Sequence, residues 1–363
     1  MPIVARVALF VAGVALVLVA LDSAVRTFVL PRGASVPFSR AVFSSVRKIF
    51  NGVTRPMHTY EARDRVMALY APLVLLVLPV AWLGLILSGY MLMYRALDID
   101  TWADAFRTSG SSLFTLGFLE PGDLPGVALS FSEAAFGLGI LALLIAYLPT
   151  IYANFSRREV LVAQMGVRAG SPPSAVELLD RSFRIRRIDD LDAFWESWQT
   201  WFNEIEETHT SLSVLVFLRS PEPGRSWVTA AGTVLDAAAL HLSVVDVRQS
   251  PDAGLCIRSG YLALGAITDF FDVERDADPS PDDPISITRD EFDDACRELG
   301  AAGVPLVGDR EQAWRDFRGW RVNYDQSLLT LAGLVVAPYA RWSSDRSLSY
   351  RRPRLRRRRP SWR

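Results

Sequence analysis

At 363 residues, half of them hydrophobic and with a mean hydropathy of +0.19, the chain is too apolar to be only a soluble domain, so a membrane part joined to a soluble part is expected. The formal net charge is −1, and the one strongly basic run, at the carboxyl end, is too short to predict a nucleic-acid partner. Cys256 and Cys296 have neither CxxC spacing nor a nearby His cluster, which favours reduced thiols over a disulfide or a metal site.

Three segments are long and apolar enough to cross a bilayer, which takes about 20 apolar residues. The first covers residues 4–21, where a poor cleavage pattern favours an uncleaved helix over a signal peptide. The second covers residues 67–93 and contains two prolines, which membrane helices tolerate with a bend. The third covers residues 129–153 and carries a single carboxylate, Glu133, near its start.

The distribution of charge predicts the orientation of these spans. Between the first and second spans lie eight basic and three acidic residues, whereas between the second and third lie two basic and five acidic residues. Because positively charged loops stay in the cytoplasm, the amino terminus is expected outside and the part from about Ser156 inside. The spans and this orientation predict a plasma-membrane protein, and the excess of Arg over Lys is typical of the codon usage of a GC-rich bacterial genome.

Residues 38–50 of the first loop predict an amphipathic helix on the inner leaflet. Its apolar positions are Phe38, Val42, Phe43, Val46, Ile49 and Phe50, with Arg40, Arg47 and Lys48 among them. Such a helix could transmit motion of the cytosolic part to the membrane part, or it could serve only as an anchor.

Residues 99–114 are too few and too polar to span a bilayer, but they suit a half-length helix. Thr115-Leu116-Gly117-Phe118-Leu119-Glu120 follows directly. Non-helical backbone at membrane depth is tolerated where it is buried in protein or lines a water-filled path. The carboxyl end of a helix also favours a cation beside it. The order of long helix, half-length helix, loop and long helix therefore predicts a cation pore.

On these residues, positions 67–154 resemble the pore module of the two-transmembrane potassium channels, whose filter is T-V-G-Y-G. Thr115 and Gly117 match the Thr and the first Gly of that filter. Leu116 and Phe118 replace its Val and Tyr, and Leu119 replaces its second Gly. The resemblance implies that the carbonyls of residues 115–118 coordinate a dehydrated potassium ion, with no cofactor and no metal other than the permeating ion.

The resemblance also implies a homotetramer, because one loop supplies a quarter of a ring of carbonyls. Glu120 and Asp123 would form outer acidic rings that concentrate cations. Gly137 and Gly139 lie where the family places a hinge glycine, and Pro149 lies deeper, where it would bend the gate.

Leu119 predicts relaxed selectivity or a low open probability. Carbonyls that all face one axis require left-handed backbone at alternate positions, which costs an L-residue with a Cβ roughly 1 kcal/mol or more. Losing the outer carbonyl sites would weaken discrimination against sodium. Two alternatives stay open: a three-span protein in which the motif is chance, and a non-conducting receptor or scaffold with a vestigial pore. No Arg repeat in an apolar helix predicts a voltage sensor.

Residues 156–345 predict a helical cytosolic domain. Segments 191–205 and 311–329 carry aromatic residues along one helical face, which is more typical of a core or subunit interface than of a ligand site. Two further segments, 226–247 and 254–271, are apolar but contain charged residues, which favours buried helices of a bundle over spans.

No pattern in the cytosolic part predicts an enzyme, since paired carboxylates, a nucleophile elbow and metal spacing are missing from it. The acidic stretch 269–294 is predicted as a solvated linker rather than a calcium loop, because Ala277 replaces the required glycine. His58, His209 and His241 are scattered. The basic tail predicts contact with anionic lipid or a chain without fixed structure.

The predicted fold class is an all-α membrane protein with three transmembrane helices, a re-entrant pore helix and filter loop, and a helical cytosolic domain. The predicted divisions are 1–25 for an amino-terminal transmembrane helix, 26–66 for a cytosolic loop, 67–155 for the pore domain, 156–345 for the cytosolic domain and 346–363 for the basic tail.

Overall fold

The computed structural model describes residues 2–28, 37–57 and 59–346, which form an all-α protein. The α-helices in these residues are α1 (Ile3–Phe28), α2 (Pro37–Thr54), α3 (Tyr60–Met67), α4 (Tyr70–Ala96), α5 (Trp102–Leu113), α6 (Leu124–Ala169), α7 (Ala175–Arg184), α8 (Asp192–Ser211), α9 (Trp227–Ser243), α10 (Pro251–Phe270), α11 (Arg289–Ala301) and α12 (Arg310–Val335). Short 3-10 turns cover Ser213–Phe217 and Ser344–Arg346.

Three stretches of helix in these residues are long and apolar enough to cross a membrane: Ile3–Thr27, Tyr60–Ala96 and Leu124–Ala169. The prediction of three candidate spans is therefore confirmed. The last candidate span lies in α6, which begins five residues before the predicted start of that span at 129 and continues to Ala169, in agreement with the prediction that residues 158–167 extend this helix. The chain divides into two compact units, a first unit of Met1–Ala153 and a second unit of Asn154–Arg363.

In the first unit, α1 packs antiparallel against α4 through two glycines. A Cβ added to Gly13 would lie closer than 3.0 Å to the carbonyl oxygen of Gly89, and one added to Gly89 would lie 2.7 Å from the carbonyl oxygen of Gly13. Small residues let helix backbones approach this closely, as they do in membrane helix pairs. The helix ends are joined by hydrogen bonds from Arg6 Nε to Ala96 O, 2.8 Å, and from Trp82 Nε1 to Ser23 Oγ, 2.9 Å.

The amphipathic segment is helical, as predicted, and forms α2. Phe50 is buried and meets the Tyr70 ring edge-on with centroids 5.6 Å apart, while the Tyr70 hydroxyl donates to the Phe43 carbonyl. Ile49 on the other face remains 64% exposed. One face of α2 therefore packs in the first unit, and its position on a membrane surface stays a prediction.

The aromatic stripes of the second unit lie in its core. Trp195, Trp198 and Trp201 of α8 are fully buried, with the rings of Trp198 and Trp201 4.7 Å apart. Helix α9 is buried on all its faces, which explains why its sequence is apolar all round. The predictions of core stripes and of a buried helix at 226–247 are confirmed.

One fully buried cation ties three parts of the second unit together. Arg321 of α12 forms an ion pair with Asp236 of α9, donates to Asp325 at 2.7 Å, and donates to the Trp342 carbonyl at 2.7 Å. Tyr324 donates to the same Asp236 carboxylate at 2.9 Å. Burial raises the pKa of Asp236, and the Arg321 charge opposes that shift.

The acidic stretch after α10 is tied to α12. Ser286 donates to Asp325 through its backbone and its hydroxyl, and Arg318 pairs with Asp282. Across the described parts of the chain, no group of three or more His, Cys, Asp or Glu side chains could hold a metal ion. Cys256 and Cys296 are buried and free. His58 and residues 347–363 of the predicted basic tail lie outside the described residues.

Burial also shapes the chemistry of His209 in α8. Its Nε2 lies 3.2 Å from Arg158 Nη1, and its ring centroid lies 5.0 Å from that of Trp227. Burial, and then the Arg158 charge, holds the pKa of His209 well below its usual range. The imidazole therefore stays neutral in the folded protein at pH values where it is protonated in the unfolded chain.

We expect this difference to make the second unit acid-sensitive. The contribution of His209 is fully present above about pH 6.5 and is lost as the pH falls, because only the unfolded chain takes up the proton. At pH 5 the loss is at most about 2 kcal/mol. Melting curves of the full chain between pH 7 and pH 5 should show a smaller drop for His209→Gln than for the wild type. An equal drop in both would contradict this.

Candidate functional site

The half-length helix predicted at 99–114 is α5, with 12 residues. The Thr101 hydroxyl caps its amino end by accepting from the Asp104 backbone at 3.0 Å, and the Asp104 carboxylate lies in the first turn, where the helix dipole stabilises it. Its length is about 18 Å at 1.5 Å per residue, which is too short for a bilayer.

Contacts with both neighbouring helices fix how deep α5 reaches. Ser109 Oγ lies 3.2 Å from the carbonyl oxygen of Leu87, which is nine residues and so about 14 Å before the carboxyl end of α4. Leu113 abuts Gly137, thirteen residues into α6 and so about 20 Å along it. The carboxyl end of α5 therefore stops part-way along the two long helices.

The chain leaves α5 through a Schellman turn. The Leu116 N–H donates to the Ser111 carbonyl at 2.8 Å, and the Thr115 N–H donates to the Ser112 carbonyl at 3.0 Å. This turn places Thr115 in the left-handed region, with φ +53°. Glycine usually occupies that position, and a β-branched residue there is strained by roughly 1–2 kcal/mol. Strain of this kind concentrates at functional sites.

The loop of residues 114–120, called the filter loop below, is held from one side by Ser111. The Leu119 N–H donates to Ser111 Oγ at 3.1 Å, and that hydroxyl lies 3.3 Å from the Leu119 carbonyl oxygen. Left-handed backbone occurs at Thr115 and Gly117, with φ +69° at Gly117, and Leu119 does not share it. The alternation that a full carbonyl ladder needs therefore stops at Gly117.

Side chains of the filter loop are exposed in the single chain. Leu116 and Phe118 are 62% and 61% exposed. Glu120 is also exposed. Asp123 immediately precedes α6, and its Oδ1 lies 2.6 Å from the point that a Cβ on Gly126 would occupy, at the amino end of the helix. A carboxylate there also stabilises the helix start.

The three predicted gating residues lie in α6 but differ in their surroundings. A Cβ on Gly137 would lie closer than 3.0 Å to the Leu113 carbonyl oxygen, so Gly137 is a point of close packing against α5. A Cβ on Gly139 would meet nothing within 4 Å. Helix α6 continues through Pro149 without interruption. Their role as hinges stays a prediction.

Sequence reasoning gave no role to Glu133, which the fold places at the junction of α4, α5 and α6. Its carboxylate is fully buried and accepts from the Ser109 hydroxyl of α5 and, at 3.2 Å, from the Tyr94 hydroxyl of α4. Beside it, Ser112 of α5 and Ser130 of α6 share a hydrogen bond of 2.7 Å. A lone ionisable residue in an apolar span was the signal that could have identified it.

No model of a known protein family matches the chain, and neither a curated protein nor a solved structure shows significant similarity to it. The fold and the site define an all-α protein with three candidate membrane-spanning helices and a further helical region.

Proposed function

We propose that this chain is the subunit of a tetrameric cation channel of the potassium-channel type, with α5 as a re-entrant pore helix. The observation that carries the proposal is the depth of α5, which ends part-way along α4 and α6 and is followed there by a non-helical loop. Such backbone within a membrane must be buried in protein or line a water-filled path. The carboxyl end of α5 points its dipole toward the loop, which favours a cation.

A ring of four copies accounts for the exposed filter loop. Leu116 and Phe118 are large apolar side chains left open at the end of α5, and contact with neighbouring copies would cover them. Four loops around one axis would then supply the carbonyls of residues 115–118, and Glu120 and Asp123 would draw cations to the outer mouth.

The proposed channel lies in the plasma membrane of a bacterium, with its amino terminus outside and the second unit in the cytoplasm. The positive charge of the first loop supports this orientation. The basic carboxyl tail would contact anionic lipid of the inner leaflet.

Relaxed selectivity is part of the proposal. The right-handed or extended backbone at Leu119 leaves the outer carbonyl sites without the alternation that aligns them. Potassium is the expected main ion, and sodium is expected to pass as well, because discrimination falls with the number of coordinating carbonyls.

Flux of potassium and sodium into liposomes that contain the purified chain tests the proposal. We expect the wild type to pass both ions and Leu119→Gly to favour potassium over sodium by about tenfold more, since left-handed backbone at an L-residue costs roughly 1–2 kcal/mol. Leu116→Gly is the matched control, because it makes the same change in the same loop at a position where the potassium-channel filter carries Val, and it should not sharpen selectivity.

The alternative is a non-conducting receptor or scaffold. Absence of flux in the wild type and in Leu119→Gly, together with a purified state other than a tetramer, would contradict the channel and favour that alternative. Potassium-selective flux in the wild type would retain the channel and contradict the relaxed selectivity.

A further inference from the structure

The Glu133 carboxylate is the one acidic side chain within the apolar part of α6, from Leu124 to Ala153. It is fully buried, and the two groups that donate to it, Ser109 Oγ and Tyr94 OH, are uncharged. Ionisable residues inside a membrane span are costly and commonly mark a functional position. A fixed acceptor with two partners on two other helices also has a mechanical consequence, since it ties those helices together.

The hydroxyls around Glu133 form a layer across the three helices. Tyr94 lies 3.4 Å from Ser112, Ser112 shares a hydrogen bond with Ser130, and Tyr90 shares one of 2.7 Å with Ser132. Within this layer Glu133 has the only carboxyl group, and its two oxygens accept from one hydroxyl of α5 and one of α4.

Helix α5 connects this layer to the filter loop through its opposite face. Successive residues of an α-helix are rotated by about 100°, so Ser109 and Ser112 share one face, and Ser111 lies about 200° from Ser109. Ser111 holds Leu119 through its hydroxyl and the turn at Leu116 through its carbonyl. Rotation or retreat of α5 would therefore displace the filter loop.

We propose that Glu133 is a positioning residue that sets the conformation of the filter loop, acting through Ser109 and the body of α5. The proposal deepens the proposed function and rests on it for its consequence in ion selection. Loss of the carboxylate frees α5 to turn, which loosens the loop at Ser111 and lowers the discrimination between ions.

A cysteine in the filter loop reports its conformation without any need for flux. Phe118→Cys in the full-length detergent-solubilised protein would be labelled with a charged maleimide, and the native Cys256 and Cys296 are buried. We expect Glu133→Ala to raise the labelling rate at that site by roughly tenfold. A second reporter, Leu124→Cys, lies at the start of α6 on an 82% exposed residue and should change by less than about twofold.

A conservative variant and a distant variant show whether a change in labelling rate comes from the position of α5 or from a general loss of stability. Glu133→Gln keeps one acceptor oxygen and should restore part of the wild-type labelling rate. Ser109→Ala should raise the labelling rate at Phe118→Cys, as Glu133→Ala does. The double variant should raise it little more than either single variant, since both substitutions break the same hydrogen bond between Ser109 and Glu133. Ser23→Ala is the matched control, because it removes a buried hydroxyl bonded to Trp82 and Ser39 in another part of the first unit.

Liposome flux with the same variants completes the test. We expect Glu133→Ala to lower the potassium-to-sodium flux ratio, Glu133→Gln to restore part of it, and Ser23→Ala to leave it unchanged. If Glu133→Ala does not accumulate, Ser109→Ala and Glu133→Gln decide the outcome. Labelling that is unchanged at Phe118→Cys in these variants, or raised equally at Leu124→Cys, would overturn the proposal.

The two proposals fail in different ways. Absence of flux in the wild type and in Leu119→Gly, together with a purified state other than a tetramer, would contradict the channel, and a preserved contrast in labelling would still support the positioning role. A wild type that conducts, with labelling and flux ratio unchanged by the substitutions at Glu133 and Ser109, would keep the channel and remove the positioning role.

Discussion

Replacement of Arg321 by Met is expected to lower the free energy of unfolding of the second unit by about 3–5 kcal/mol. The side chain is fully buried, and its loss would leave the Asp236 carboxylate buried without a cation. It would also remove the donor to Asp325 within α12 and the donor to the Trp342 carbonyl, which joins α12 to the segment that follows it. Thermal unfolding of the full-length protein, monitored by tryptophan fluorescence, measures this loss of stability.

Arg297→Met is the matched control for this substitution. Arg297 pairs with Asp294 on the surface, where its side chain is 75% exposed, so removal of its charge should cost less than about 1 kcal/mol. Adding Asp236→Leu to Arg321→Met should recover part of the lost stability, because a buried pair of charges is replaced by apolar groups. Equal effects of Arg321→Met and Arg297→Met would show that the buried network contributes little.

Alanine at Gly137 and alanine at Gly139 are expected to act in opposite directions. Both glycines lie inside α6, where alanine is favoured over glycine by up to about 1 kcal/mol. At Gly139 the added methyl meets nothing within 4 Å, so that gain should be retained. At Gly137 the methyl would collide with the Leu113 carbonyl, and because that atom belongs to the backbone, the end of α5 must move. Overpacking of this kind costs about 1–3 kcal/mol.

Ion flux should separate the two variants further. We expect Gly137→Ala to reduce flux by more than about tenfold, since displacement of Leu113 moves the residues that begin the filter loop. Gly139→Ala should keep a stable protein, and a change in its flux alone would support the predicted hinge. Gly137→Ala with wild-type stability and flux would contradict the close packing of α5 against α6. These measurements use thermal unfolding in detergent and the liposome assay.

The lengths of the apolar segments and the helical periodicity of the sequence predicted much of the architecture. The three long segments of apolar residues predicted three candidate spans, because a helix in a bilayer satisfies its own backbone hydrogen bonds and needs apolar side chains along its length. The Trp spacing of α8 likewise predicted a buried face, since residues three and four apart share one side of a helix. The first residues of the helices were predicted less accurately: α6 begins at Leu124, five residues before the predicted start of the third span.

Only part of the candidate site could be predicted from the sequence. The half-length helix and the loop after it were predicted from composition, and α5 is indeed a helix of 12 residues. The left-handed Thr115 was not predicted, because it follows from the hydrogen bonds of one turn rather than from residue type. Gly137 illustrates the same limit, since its packing depends on a carbonyl of a helix 24 residues earlier.

The sequence by itself determined that this is a helical protein with three candidate spans, and that a polar half-helix and a Thr-led loop interrupt the apolar segments. These are properties of neighbouring residues, which local hydrogen bonding and side-chain periodicity control. Only the tertiary structure decided that Glu133 joins Tyr94 and Ser109, and that Arg321 joins Asp236 and Trp342. Glu133 and Arg321 are separated from these partners by 21 to 85 residues, and the packing of helices decides which polar groups meet a buried ionisable side chain, which no local pattern encodes.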